Sequence, residues 1–290
     1  MMSNESDLQL GIDIGGSKIS LCTYDGAFEL VSHKEIPTAL FRQRSLLFID
    51  DLEAFILNKC PRVRKRIGIS FKGSITAGVI TYSSLLGGQV NYQLASRFSK
   101  KFGCPVTVDN DVVCMTKAES RYGKGRGVSN FTLVNLGTGL RLGYCENGRV
   151  LSGKGNNFGE ISSLTLTVPE LEHSSASLDD LLSGRGISHM YYKLTGQEKS
   201  AKDIFYDTHN PYARTAREIF THYMAELLRM VSCFYNPELI VFAGSVMKSH
   251  EFFFAELREQ YREITPILLQ ATSLVISELN HSACLGSLLV

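Results

Sequence analysis

Two hairpins with glycine-rich tips constrain the fold of this chain more than any other feature. In the first, residues 8–24, apolar residues alternate before and after the turn Gly15–Lys18, which reads Gly-Gly-Ser-Lys. The second hairpin spans residues 131–146 and turns at Gly-Thr-Gly, residues 137–139. Amphipathic helices and buried strands follow each hairpin. This weak internal duplication predicts two facing α/β units that could bind a polyphosphate between their glycine tips.

The residues around the first turn are compatible with phosphate binding. An ordinary tight turn explains Gly15 and Gly16 but gives no reason for Asp13 beside them. Backbone N–H groups exposed by glycine can cradle an anion, while a nearby carboxylate lies close to its metal ion. A Rossmann nucleotide site fits neither turn, because neither leads directly into a helix. The ordinary turn and the phosphate turn both remain open at this point.

Length, charge and cysteine content narrow the class of protein. The chain has 290 residues and a net charge of +1, which allows two modest domains and gives no sign of a nucleic-acid partner. Its seven cysteines form no C-x-x-C pair, which favours reduced thiols over disulfides or a zinc site. The polar, acidic start is not typical of a signal peptide, and no apolar run is long enough to span a membrane. We therefore expect a cytoplasmic protein without a membrane partner.

Several segments, taken in order, resemble the ROK family of sugar kinases and repressors, within the superfamily of actin, hexokinase and heat-shock chaperones. The matching segments are GIDIGGSK (11–18), GISFKGSI (68–75), FGCPVTVDNDVVCMTKAE (102–119), LVNLGTGLRLGYCENGRVLSGKGNNFGEIS (133–162), LDDLLSGRGI (178–187) and NPELIVFAGSV (236–246). One such segment would be a weak signal, whereas the ordered set covers nearly the whole chain.

The resemblance implies an α/β fold of two actin-like (ribonuclease H-like) domains that face each other across a nucleotide- and sugar-binding cleft. We expect an N-terminal domain at residues 1–112 and a C-terminal domain at 113–290, with the end of the chain packing back on the first domain. Repressors of the family carry an N-terminal helix-turn-helix domain. Only residues 1–7 precede the first predicted strand, which favours a kinase over a repressor.

The resemblance also implies roles in ATP-dependent phosphoryl transfer, which needs a base, a divalent metal and groups that hold the phosphates. Asp111 matches the general base, and Asp13 is expected beside Mg²⁺, through water. The residues expected to bind ATP are Gly15, Gly16, Ser17, Lys18, Gly137, Thr138, Gly139, Gly244 and Ser245. Two alternatives stay open: Asp111 could only cap the following helix, and Gly244 could belong to a plain strand-to-helix turn.

Five residues besides the base are expected at the sugar. Glu160 matches a hydroxyl-binding glutamate of the family, and Asp179 falls where the family has another glutamate. The others are Lys72, Gly73 and Asn110. Each acid has a structural alternative, Glu160 as a turn residue and Asp179 as an acid at a helix N-terminus. Lys72 could equally be a solvent-facing lysine on a surface loop.

The chain departs from the family pattern at several positions. Ser163 replaces a histidine, Lys72 a proline and Arg141 a glycine of the second phosphate turn. The family's zinc-binding cysteines are absent from residues 170–177, so no zinc site is expected. These changes favour a modified, amino or acidic sugar over glucose. They also support the alternative of a ROK-like sugar-binding regulatory protein or pseudokinase. The identity of the sugar and a homodimeric state stay open.

Overall fold

The computed structural model describes residues 8–60, 65–171 and 174–289. Its residues form two compact units, which we call the first and the second unit. The first unit contains the chain up to Gly123, the segment Val150–Phe158 and the end of the chain from Leu279. The second unit contains Lys124–Arg149 and Gly159–Glu278.

The strands and helices follow one another in an α/β order. The strands are β1 (Gln9–Ile14), β2 (Lys18–Tyr24), β3 (Leu30–Pro37), β4 (Arg66–Phe71), β5 (Ser74–Thr76), β6 (Val79–Ser83), β7 (Gly88–Tyr92), β8 (Val106–Asn110), β9 (Asn130–Leu136), β10 (Leu140–Glu146), β11 (Arg149–Val150), β12 (Thr165–Val168), β13 (Ser174–Ser177), β14 (Leu239–Ala243) and β15 (Ser273–Ile276). The α-helices are α1 (Leu47–Lys59), α2 (Leu94–Phe102), α3 (Asp111–Tyr122), α4 (Leu178–Leu182), α5 (Gly184–Thr195), α6 (Ala201–Tyr206), α7 (Pro211–Tyr235), α8 (Phe254–Ile264) and α9 (Ser282–Ser287).

The first unit is built on a five-stranded sheet in the order β3-β2-β1-β4-β8. β1 pairs antiparallel with β2 and parallel with β4, and β4 pairs parallel with β8. Alternate residues of β1 point to opposite faces of the sheet, so Leu10, Ile12 and Ile14 are buried in the core formed with α1 and α2. The opposite face, which carries Gly11 and Asp13, packs against α9.

Two paired glycines let the short helix α9 lie directly on this opposite face. A Cβ at Gly11 would come within 2.2 Å of the Cys284 carbonyl oxygen, and one at Gly68 within 2.3 Å of the Ser287 carbonyl oxygen. The two glycines are neighbours in the β1–β4 ladder. Since α9 also packs against α3, α3 belongs to the first unit, and the units divide after Gly123 rather than after the expected residue 112.

The second unit repeats this plan. Its sheet has the order β11-β10-β9-β14-β15, with β9 antiparallel to β10 and parallel to β14. β14 is buried along its whole length, and α7 packs against α8. No helix among the described residues combines the length and the apolar character needed to cross a membrane.

The segment where the family has its zinc motif forms a small hairpin. β12 and β13 pair antiparallel from Thr165–Ser177 to Val168–Ser174. The side chain of Ser177 then caps α4 by accepting the N–H of Asp180. His173, the one histidine of this segment, lies outside the described residues.

Candidate active site

The first glycine turn is a short, exposed loop held by backbone contacts. The Gly15 N–H donates to the Lys18 carbonyl oxygen at 3.0 Å, which closes the turn between β1 and β2. Thr38 is fully buried and holds the turn through two hydrogen bonds. Its hydroxyl donates to the Gly15 carbonyl oxygen at 2.9 Å, and its N–H donates to the Ser17 carbonyl oxygen at 3.0 Å. Gly16 and Ser17 are exposed at the tip. The turn therefore has a fixed backbone and an open surface. The supporting residue, Thr38, was not identified from the sequence.

Asp13 occupies the last but one position of β1, next to this turn. Its register partner in β4 is Ser70, whose hydroxyl donates to Asp13 Oδ1 at 2.7 Å. Burial raises the pKa of Asp13 to about 6, which the Ser70 hydrogen bond opposes and the negative charge of Asp111 reinforces. Ser70 was also missed. A serine within the otherwise apolar strand RIGISF is the signal that could have found it.

Lys18 and Lys72 differ in what their ammonium groups contact. Lys18 forms an ion pair with Glu35 of the edge strand β3 and is 59% exposed. Lys72 follows β4, and its Nζ would lie 3.2 Å from a Cβ placed on Gly16. The ammonium of Lys72 therefore lies against the glycine turn, whereas that of Lys18, the last residue of the turn, is paired with Glu35. The expected phosphate role of Lys18 stays a prediction.

Asn110 and Asp111 lie where β8 ends and α3 begins. Asn110 is the N-cap, because its Oδ1 accepts the Val112 N–H at 3.0 Å. Its Nδ2 donates to the Gly73 carbonyl oxygen at 2.9 Å. Asp111 is the first residue of α3 and accepts the same Val112 N–H at 2.9 Å. The capping role considered for Asp111 thus belongs mainly to Asn110.

A polar cluster that the sequence did not reveal lies beside these residues in the first unit. Asp109 forms an ion pair at 2.9 Å with Lys117 in the middle of α3, and it accepts a hydrogen bond from the side-chain amide of Asn156 at 2.5 Å. The neighbouring Asn157 accepts the Ser74 hydroxyl at 2.6 Å. Nothing local in the sequence links residues 156–157 to β8, so no pattern could have identified this cluster.

The second glycine turn is supported by Asp179. The Gly137 N–H donates to the Gly139 carbonyl at 3.1 Å, and the Leu140 N–H donates to Asp179 Oδ1 at 2.8 Å. The other carboxylate oxygen of Asp179 pairs with Arg185 at 2.5 Å. Thr138 is exposed at the tip of the turn. Both oxygens of Asp179 are thus engaged within the second unit.

Gly244 follows β14 with a backbone φ of 100°, in the region that favours glycine. A Cβ at this position would lie 2.4 Å from the Leu136 carbonyl and 2.6 Å from Asn135 Oδ1, both at the end of β9. Ser245 begins a 3₁₀ segment, and both residues are exposed. The close packing explains the glycine without any ligand, so the plain strand-to-helix turn remains a sufficient reason for it.

Two of the positions singled out by the sequence meet in the second unit. Arg141 of β10 forms an ion pair with Glu160. Gly159 brings the chain to β10, because it accepts the Leu142 N–H at 3.3 Å in a conformation with φ of 76°. A Cβ there would lie 1.7 Å from the Leu142 carbonyl oxygen. Ser163, also expected nearby, is exposed in the segment that follows.

Within the first unit the structure thus brings together Asp13, the turn Gly15–Lys18, Lys72 and the pair Asn110–Asp111, with Gly73 bound to Asn110. In the second unit the turn Gly137–Gly139 is joined by Asp179, and Glu160 is joined by Arg141. The described residues show a carboxylate, backbone N–H groups and a cation grouped at one end of the first sheet. That grouping suits an anionic ligand and its metal ion.

Comparison with known proteins gives a consistent result. The family model described as the ROK family matches residues 9–289. The chain is 25% identical over 280 residues to a glucokinase of Halalkalibacterium halodurans, covering 87% of this chain and 84% of the relative. It is 26% identical over 263 residues to an N-acetyl-D-glucosamine kinase of Escherichia coli, covering 81% of this chain and 83% of the relative.

A solved structure confirms the α/β fold expected from the resemblance. The ROK family glucokinase from Streptomyces griseus, in complex with glucose and AMPPNP, superposes with a TM-score of 0.79. The match covers 97% of each chain at 19% sequence identity, so it speaks for the fold alone. The similarity extends over the first and second units alike.

Proposed function

This chain belongs to the ROK family, and we propose that it is an ATP-dependent kinase that transfers the γ-phosphate to a hydroxyl of a sugar or modified sugar. The similarity to two sugar kinases over most of their length supports the reaction class. The observation that carries the proposal is the grouping of Asp13, the glycine turn and Asp111 in the first unit, since phosphoryl transfer needs these three parts.

Asp111 is proposed as the general base. It lies at the carboxyl end of a sheet strand, and its position is held by the Asn110 cap and by its own bond to the Val112 N–H. A carboxylate held rigidly in this way can take the proton of a sugar hydroxyl as that hydroxyl attacks the γ-phosphorus. The Asn110–Gly73 bond fixes the loop that follows β4, which supports the proposed role of this loop at the acceptor.

Asp13 is the residue proposed to hold Mg²⁺, through water. The fit is chemical, because Mg²⁺ prefers oxygen ligands and burial raises the pKa of the Asp13 carboxyl to about 6, so that a bound cation would offset the cost of its buried charge. A bound Mg²⁺ would supply charge neutralisation to the phosphates. Ser70 keeps the carboxylate oriented, and Thr38 keeps the turn Gly15–Lys18 in shape for the phosphates.

In the second unit, backbone N–H groups of Gly137–Gly139 are proposed to contact the phosphates, with Gly244 and Ser245 at the nucleoside. The carboxylate of Asp179 already binds the Leu140 N–H and Arg185, so its contacts favour a positioning role for the turn over direct sugar binding. Glu160 remains the proposed sugar ligand of this unit. The ion pair with Arg141 neutralises the Glu160 carboxylate, so a sugar at this position would meet less negative charge than an unpaired glutamate presents.

Replacing Lys72 by alanine should lower kcat by about 10²-fold, because its ammonium lies against the turn proposed to hold the transferred phosphate. Lys18→Ala is the matched control. It should change kcat by only a few fold, since Lys18 is bound to Glu35. Steady-state kinetics of both variants with saturating ATP and sugar will distinguish them. Equal effects of the two substitutions would refute the assignment of Lys72 to the phosphate.

Replacing Arg141 by alanine should change acceptor preference. Without its partner, the Glu160 carboxylate is free to accept a hydroxyl, so KM for a neutral hexose should fall by about tenfold. KM for an acidic sugar should rise, because a cation is lost. Arg185→Ala, which breaks the ion pair with Asp179 in the same unit, is the control. A uniform change across all sugars would contradict the prediction.

The activity itself is tested by measuring ADP release with Mg-ATP against neutral, amino, N-acetylated and acidic sugars. Turnover of at least one sugar, lost on addition of excess chelator, is the expected result.

The second candidate function is a sugar-binding regulatory protein without turnover. The Arg141–Glu160 pair favours it, because Arg141 occupies the carboxylate that is proposed to bind the sugar. Sugar binding by calorimetry with no ADP release from any member of the panel would support that alternative.

A further inference from the structure

A cysteine and two histidines from three separate segments meet in the first unit. Cys22 lies in β2, His33 in β3, and His281 immediately precedes α9. One sulfur or ring nitrogen atom of each residue lies within 4.8 Å of the corresponding atoms of the other two. Cys22 is fully buried, whereas the His33 side chain is 28% exposed. The cluster is therefore buried at Cys22, on the sheet, and accessible to solvent at His33.

Strand pairing and the position of α9 bring these three side chains together. Cys22 and His33 are direct partners in the β2–β3 ladder, so their side chains leave the sheet on the same face. α9 covers that face, and His281 enters the cluster from a left-handed conformation with φ of 54°. Its ring stacks on that of His33 with 3.8 Å between the ring centres.

A carboxylate lies beside the cluster. Glu35 of β3 has its Oε1 at 3.7 Å from His33 Nε2, although it is also paired with Lys18 of β2. A carboxylate at this distance would offset part of the charge of a bound cation.

We propose that Cys22, His33 and His281 bind a divalent transition-metal ion, of which zinc suits the ligands best. Thiolate sulfur and imidazole nitrogen are both ligands that zinc favours, and three such ligands leave a fourth position for water. Mg²⁺ and Ca²⁺ are disfavoured because they prefer oxygen ligands. Tetrahedral coordination requires ligand atoms about 3.3–3.8 Å apart, so atoms that all lie within 4.8 Å of one another need to close in by at most about 1.5 Å on binding.

The bound ion would stabilise the first unit by linking three of its elements. β3 is the edge strand of the sheet and is exposed along nearly its whole length, and α9 is only six residues long. One ion bound to both elements and to β2 would hold the edge strand and the end of the chain to the sheet. The expectation of no zinc site considered ligands close together in the sequence, whereas the proposed site takes its ligands from three separate segments.

The test uses the full chain, freed of metal by a chelator and titrated with Zn²⁺ and with Co²⁺. We expect one ion per chain and a sulfur-to-cobalt charge-transfer band from the Cys22 thiolate. His33→Gln and His281→Asn should each weaken Zn²⁺ binding by about 100-fold or more. Asparagine tolerates the left-handed backbone of position 281, and His33 is on the surface, so both variants should fold.

The matched controls are His209→Gln and Cys233→Ala, two exposed residues of the second unit. Both should retain the affinity and the cobalt spectrum of the parent. Zn²⁺ should also raise the midpoint of thermal unfolding by several degrees in the parent and in the controls but not in His33→Gln. The absence of saturable binding, a cobalt spectrum without the sulfur band, or unchanged affinity in both histidine variants would overturn the proposal and leave only a stacked pair of imidazoles.

Discussion

Replacing Asp111 by asparagine should lower turnover by about two to four decades while leaving ATP binding and folding intact. The proposed base would be lost, whereas the local structure would not, because an asparagine oxygen can accept the Val112 N–H as the aspartate does. Asn110 continues to cap α3 in the variant. Rapid-quench or coupled assays of ADP release, with circular dichroism and nucleotide titration, measure these effects.

The control for this variant is Asp203→Asn, the same change in the first turn of α6. Asp203→Asn removes a favourable charge near a helix N-terminus without removing the proposed base, so it should leave turnover unchanged. A difference between the two variants is then due to loss of the base. Near-normal turnover in Asp111→Asn would remove Asp111 from the mechanism. Loss of nucleotide binding together with turnover would assign it to substrate binding instead.

Replacing Asp13 by asparagine should abolish Mg²⁺-dependent turnover and, at the same time, stabilise the metal-free protein. The pKa of Asp13 rises from 3.8 to about 6 on folding, chiefly through burial. Between these values the folded state holds a proton that the unfolded state has lost, so the free energy of unfolding falls as pH rises across this interval. Above pH 6 the folded protein carries an unfavourable charge worth about 1–3 kcal/mol, allowing for partial screening by solvent.

An asparagine carries no charge and can still accept the Ser70 hydroxyl. The gain in stability should therefore be about 1–3 kcal/mol at pH 8 and should shrink as pH is lowered from 6 towards 4. Denaturant unfolding at several pH values in chelator measures it, with Asp203→Asn again as control. Saturating Mg²⁺ should stabilise the parent and not the variant. A destabilised variant that retains Mg²⁺-dependent activity would refute both roles of Asp13.

The hairpins, the order of most helices and strands, and the positions of Asp13 and Asp111 were predictable from the sequence. Alternating apolar residues and turn residues are local properties, and they marked β1, β2, β9 and β10 directly. The ROK resemblance then covered the whole chain, which the family match confirms over residues 9–289.

Some elements were missed because their stability is not local. α9 is too short to show a helical pattern, and it exists where Gly11 and Gly68 allow it to lie on the sheet. The hairpin β12–β13 has mostly serine and threonine residues, and β5, β6 and β7 are strands of three to five residues in a segment rich in glycine and serine. Such segments gain their structure from pairing and packing, which short sequence windows do not contain.

The sequence by itself determined the fold class, the two glycine turns and the acidic residues near them, because these depend on residue type and spacing along the chain. Only the tertiary structure decided which side chains meet. It pairs Asp13 with Ser70 through strand register, places the Lys72 ammonium against Gly16 of the first turn, and joins Arg141 to Glu160. It also gathers Cys22, His33 and His281 from the two ends of the chain. Contacts between distant segments follow from sheet register and helix docking, and no spacing within the sequence encodes them.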